Sequence, residues 1–125
     1  MKNLQKLIEH YIQAYNQFDI EGMLMDLHED VVFENISEGI LTLRTEGIDE
    51  FQTQAEKAMN CFSQREQMIK NWDIQLDKVV IDIEYKAVLV TDLPNGMKQG
   101  DLLQISGQSE FVFEEDKIIR IVDKA

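Results

Sequence analysis

Two tyrosines one helical turn apart, Tyr11 and Tyr15, stand on the apolar side of an N-terminal segment with Leu4, Leu7, Ile8 and Phe18. A phenol on an apolar stripe either donates a hydrogen bond to a ligand oxygen or is a core aromatic whose hydroxyl finds a protein partner. Asn35 ends the strand-like run VVFEN in phase with Val31 and Phe33, so an amide closes an apolar face, either to bind a ligand or to cap nearby backbone. Ser109, between Gly107 and Phe111 in the same phase, has the same two readings. Asp101 is the one carboxylate on the apolar-phase face of its strand; it is a candidate acid or base, or it is solvated and paired with Lys98. Trp72 and Phe111 are pocket walls or plain core. An apolar stripe bearing polar groups, facing a strand that ends in another, has the composition of a small-molecule pocket. Arg65 reads as a surface ion pair or as an anchor for an anionic ligand.

Other chemistries find little support. His10 and His28 are far apart with no HExxH or Cys/His spacing, so no metal site is expected, and no cofactor motif or glycine-rich phosphate loop is present. No serine sits in a GxSxG elbow, and Cys61 has no evident activating base. Asn35-Ile36-Ser37 matches a glycosylation sequon, which is read as chance. The net charge of −12 argues against binding a phosphate backbone, so no nucleic-acid partner is expected, nor an anionic membrane surface. A single cysteine excludes an internal disulfide. The N-terminal segment lacks the unbroken apolar core of a signal peptide, and no run reaches the ~18 apolar residues of a membrane span. A cytoplasmic protein is the expectation.

The elements that must position these residues follow from periodicity. Apolar residues at i, i+3, i+4 spacing predict a first helix over about 2–18 and, after Asp19 as N-cap, a short second helix with Ile20, Met23, Leu24 and Leu27 on its buried face. Glu29-Asp30 is expected to turn the chain into the strand 31–35, followed by a short strand near 40–43. A third helix is predicted over 48–62. Alternation predicts strands at 72–76, 87–91, 101–113 and 118–122, with Pro94-Asn95-Gly96 as a hairpin turn and Gly107 as a bend or bulge. Helices first and antiparallel strands after make the class α+β, in one domain of 125 residues.

Tyr11, the spacing Asn16-x-x-Asp19-x-x-Gly22, Leu27, Asp30-Val31 and the strand ending at Asn35 resemble the opening of the nuclear-transport-factor-2-like superfamily, in its ketosteroid-isomerase and SnoaL-like polyketide-cyclase branch. Gly47-Ile48 with Phe51, and Ser109–Phe113 followed by Asp116-Lys117-Ile118, resemble its third-helix start and final hairpin. The resemblance implies a cystatin-like fold: a cone-shaped curved antiparallel sheet wrapped around an N-terminal helix, with the pocket inside and frequent dimerisation through the outer face. It places Tyr11 where an oxyanion-hole tyrosine would be, Asn35 where an aspartate base would be, and Ser109 where a protonated aspartate would be. An amide cannot take a proton from carbon, so steroid isomerisation is not expected.

The expectation is therefore a homodimeric pocket protein for a small apolar or weakly polar molecule. Tyr11, Tyr15, Asn35, Trp72, Ser109 and Phe111 would line its pocket. Any enzyme activity would be a metal-independent isomerase, cyclase or dehydratase with Tyr11 as donor and Asp101 as base. The alternative is a non-catalytic dimeric interaction module. An open cone of roughly 300 Å³ with convergent polar groups favours the first, and a dry packed cone the second.

Overall fold

The computed structural model describes residues 3–125. The first helix, α1 (Leu4–Asn16), opens at Asn3, whose side-chain oxygen accepts from the backbone N–H groups of Gln5 and Lys6 and so satisfies two orphan donors. Position 2, part of the predicted helix, lies outside the described residues. The helix ends before Phe18, which adopts a left-handed φ of 58°. Phe18 N–H bonds Tyr15 O and Asp19 N–H bonds Ala14 O, a Schellman closure built without glycine. Asp19 then caps α2 (Ile20–Met25) by accepting from Gly22 N–H at 3.0 Å, as its position predicts.

The remaining elements are β1 (Leu27–Ser37), β2 (Ile40–Glu46), α3 (Ile48–Met59), β3 (Phe62–Ile74), β4 (Val79–Leu89), β5 (Leu102–Glu114) and β6 (Lys117–Lys124). They form a curved, unclosed six-stranded sheet in the order β2-β1-β6-β5-β4-β3. The class is α+β, a curved sheet against an N-terminal helix, as expected. One pairing departs from the antiparallel expectation: β1 and β6 run parallel. These strands come from opposite ends of the chain, so no hairpin dictates their relative direction.

Several boundaries move. Glu29 and Asp30 are exposed strand residues rather than a turn, because β1 starts at Leu27. The third helix stops at Met59, and Phe62 already belongs to β3. Residues 62–71 hide their alternation for two reasons: Arg65 and Gln67 occupy the inward phase, and register breaks occur at Phe62/Gln64 and Ile69/Asn71. Such breaks bend a strand and increase its twist, which helps the sheet wrap α1.

The core lies on the concave face. Ile8, Tyr11 and Ile12 of α1 pack with Val31, Ile81, Phe111 and Ile121 from four strands. The end of α1 is fastened to the sheet edge. Asn16 donates to Gln67 O at 3.1 Å and accepts from Gln67 N–H at 2.7 Å. Arg65 Nε donates to Tyr15 O at 2.9 Å, and its guanidinium lies 3.7 Å from the Tyr15 ring centroid and 4.5 Å from that of Phe18. Arg65 is therefore not a surface ion pair; it is 5% exposed and serves a helix C-terminus, where a cation and a donor are both favourable.

Gly107 is not a register break, since β5 pairs continuously with β4 from Leu102 to Phe111. Its reason is proximity: a Cβ there would sit 2.5 Å from Lys124 O. Gly107→Ala should force β6 away from β5 and lower unfolding stability by about 1–3 kcal/mol, read from urea denaturation. An unchanged midpoint would contradict this packing.

Candidate functional site

A cavity of about 230 Å³ opens on the concave side of the sheet beyond the end of α1. Strand register orders its lining into rows. Tyr85 lies opposite Ile105, Ile83 opposite Gly107, and Ile81 opposite Ser109, which in turn faces Asp123 of β6. Asn35 of β1 is the neighbour of Asp123 on its other side. Gly107 lies between a phenolic end, Tyr15 and Tyr85, and an acidic end, Ser109 and Asp123.

At the acidic end, Ser109 Oγ donates to Asp123 Oδ1 at 2.6 Å. Burial pushes the Asp123 carboxyl up to about 6, with the Ser109 hydrogen bond opposing the shift only in part. No Lys, Arg or His among the described residues forms an ion pair with it. Lys124, next in sequence, turns its ammonium to Glu110. At the phenolic end, Tyr15 Oη and Tyr85 Oη are 2.9 Å apart. Burial raises both phenols above their ordinary range, so both are neutral donors at physiological pH. The Asn35 side-chain amide donates to Thr42 Oγ1 at 2.8 Å, and Thr42 Oγ1 donates in turn to the Asn35 backbone oxygen at 3.1 Å.

Of the residues singled out from sequence, Tyr15, Asn35 and Ser109 line this cavity. Tyr11 lies beneath it, 5% exposed, with its ring 6.0 Å from Phe111 and 6.5 Å from Phe51. Burial, then the nearby Asp123 charge, raises its phenol well above the ordinary value. Phe111 is fully buried core, and Trp72 packs partly buried against the core without reaching the cavity. Asp101 does not line the cavity either. It is exposed in the β4–β5 connection, where its carboxylate accepts from Lys98 N–H at 2.9 Å, while the Lys98 ammonium faces Asp92.

Sequence reasoning missed Asp123, Tyr85 and Gln67. A signal for two of them existed. Asp123 follows Ile121 in phase within IIRIVDK, and Tyr85 follows Ile81 and Ile83 in phase within VVIDIEY. A polar residue kept in the apolar phase of a strand is the same clue that singled out Asn35. Among the described residues, no group of three or more His, Cys, Asp or Glu side chains could hold a metal ion.

Residues 8–121 match the model of the SnoaL-like domain. The chain belongs to the SnoaL-like family. No curated protein matches the sequence. Among solved structures, a Xanthomonas campestris protein proposed to be a polyketide cyclase is 21% identical, with a TM-score of 0.81 over 97% of this chain and 88% of that one. A nuclear-transport-factor-2-like protein of unknown function from Burkholderia pseudomallei is 16% identical, with a TM-score of 0.79 over 98% and 90%. TerC, crystallised with polyporic acid, is 18% identical, with a TM-score of 0.74 over 95% and 88%. At these identities the likeness is one of fold. For a SnoaL-like chain, the local feature to explain is a desolvated carboxyl without a cation.

That carboxyl makes stability pH-dependent with a definite sign. With its value raised when folded, Asp123 stays protonated from about pH 4 to 6 while the unfolded chain ionises, so its contribution is full below pH 4 and is lost as pH rises through 6. Asp123→Asn should therefore gain on the parent by at most about 3 kcal/mol between pH 4 and pH 7. Urea denaturation at stepped pH tests this; a pH-independent difference contradicts it.

Proposed function

We propose that this SnoaL-like chain binds a compact, uncharged, largely apolar molecule in the cavity, and that Asp123 is the group that exchanges a proton with it. The observation that carries this reading is Asp123 itself. A carboxyl held by one neutral donor and no cation is costly to a folded protein, and a value near working pH is what a general acid or base requires. A ligand anion would meet that carboxylate at the acidic end with no partner cation there. The cavity is smaller than the roughly 300 Å³ taken as a threshold, so the reading rests on its polar lining rather than on its size.

If the bound molecule reacts, the chemistry is proton transfer of the isomerase, cyclase or dehydratase kind, with Asp123 rather than Asp101 as base. The Asn35 amide stands where the resemblance put a basic carboxylate, so the steroid-isomerase arrangement is not retained. The solved neighbours support the reading by analogy, since one is proposed to be a polyketide cyclase and another was crystallised with polyporic acid. Native mass spectrometry of protein from its own host, followed by denaturing extraction, should release a small organic molecule. Ile105→Trp, at the cavity wall, should empty it. A ligand-free parent protein would count against a pocket function.

A second reading concerns the convex face. There Glu34 is held by Arg44 at 2.6 Å and by Arg120, and Glu110 is held by Lys78 at 2.7 Å and by Lys124. These groups ring a depression with Ile36, Val112 and Val122 on its floor. We propose this mixed apolar and charge-paired face as the contact between two copies of the chain, the homodimer that the pocket reading and the interaction-module alternative share. Sedimentation should show a dimer, and Val112→Glu should leave a folded monomer. A monomeric parent would remove this reading.

A further inference from the structure

The two phenols of the cavity share one hydrogen bond, and a single bond between two hydroxyls leaves one hydrogen over. Tyr15 Oη and Tyr85 Oη are 2.9 Å apart, so one donates and the other accepts. The acceptor keeps its own O–H for a third group. Which tyrosine accepts therefore decides what the cavity offers a ligand.

Arg65 breaks the symmetry. Its guanidinium lies 3.7 Å from the Tyr15 ring centroid, while its Nε is fixed to Tyr15 O. A cation over a phenol ring draws electron density from the ring and makes the O–H a stronger donor. Tyr85 has no such cation; its ring meets those of Phe62 and Tyr15. Tyr15 is thus the donor and Tyr85 the acceptor. Burial raises Tyr15, but its hydrogen bond to Tyr85, the Arg65 charge and the Gln67 side chain oppose the shift. Burial raises Tyr85, the Tyr15 charge and hydrogen bond add to the shift, and the Arg65 charge opposes it there as well.

We propose that Tyr85 is the hydrogen-bond donor of the cavity toward a neutral ligand bearing a carbonyl oxygen, such as an aryl ketone, and that Arg65 is a positioning residue that sets this direction through Tyr15. The proposal deepens the pocket reading above and rests on it. A hydroxyl that accepts a hydrogen bond is polarised into a better donor, so Arg65, Tyr15 and Tyr85 act in series. Ile105 and Ser109, which mark the two ends, are about 13 Å apart along β5. A ligand held by its carbonyl at Tyr85 extends over Gly107 toward Asp123. The first-helix residue Tyr11 does not take this role, because it does not line the cavity.

The test uses 1-indanone, with affinity from calorimetric titration and the carbonyl stretch from infrared difference spectra. The parent protein should bind it with the band shifted to lower wavenumber. Tyr85→Phe should weaken binding about tenfold and return the band to its position in an apolar solvent. Tyr15→Phe and Arg65→Gln should each keep Tyr85 bound to the probe, with a smaller band shift and binding within about threefold of the parent. If Arg65→Gln does not fold, Tyr15→Phe gives the same readout. A band lost in Tyr15→Phe but kept in Tyr85→Phe reverses the direction and overturns the proposal, as does a band indifferent to all three changes. Failure of the parent protein to bind 1-indanone overturns this proposal; a ligand-free protein from the native host overturns the pocket reading instead.

Discussion

The fastening of the α1 C-terminus to β3 is the constraint on which the rest of the site depends. A helix laid across a curved sheet can slide or tilt unless something other than apolar contact fixes it, because apolar contact is not directional. Here Asn16 pairs with both backbone polar groups of Gln67, and Arg65 bonds the Tyr15 carbonyl while stacking on its ring. Those bonds fix the axial position of Tyr15 and therefore the place where its hydroxyl meets Tyr85. The same bonds satisfy edge-strand and helix-end groups that would otherwise need water. Stability and cavity geometry thus share the same atoms.

The cavity is a short opening of about 230 Å³ rather than a wide cone. The inward phase of β5 reads Leu103, Ile105, Gly107, Ser109, Phe111, and toward Phe111 it is completely filled by core. At Gly107 the β6 backbone leans in, and Lys124 O takes the place a side chain would need. The opening is consequently short, bounded by phenols on one side and by the Ser109–Asp123 pair on the other. A small cavity with polar groups at both ends selects by the placement of donors and acceptors more than by apolar area.

How much of this could be read from the chain depended on whether apolar phase and burial coincided. α1, α2 and β5 were legible because their apolar residues recur at helical or strand spacing and are the residues that pack. β3 was illegible over 62–71 because its inward phase carries Arg65 and Gln67, whose partners are the end of α1 rather than neighbouring apolar side chains. The parallel partnership of β1 and β6 leaves no local trace, since nothing in either strand encodes the direction of a partner some ninety residues away. Asp101 looked like the acid because it extends the apolar phase of β5, but that phase runs out of the core at the β4–β5 connection, where Asp101 is exposed. Asp123 occupies the equivalent phase at a strand end that does reach the interior.

The charge of the whole chain bears on what the cavity accepts. At −12, the protein surrounds any approaching anion with an unfavourable field, and salt screens that field beyond about 8–10 Å. The cations that could offset it locally are already engaged. Arg44 and Arg120 hold Glu34, Lys78 and Lys124 hold Glu110, and Arg65 is stacked on Tyr15. A neutral molecule feels none of this repulsion and still finds a phenol to donate and a carboxylate to accept. On the pocket reading, the acidity that first reads as simple solubility would act as a filter on the site, in the same sense as the cation-free setting of Asp123. A molecule that must lose a proton would enter protonated and meet its negative charge only after Asp123 has taken the proton, which leaves the carboxyl neutral while the new anion lies beside the donors at the phenolic end.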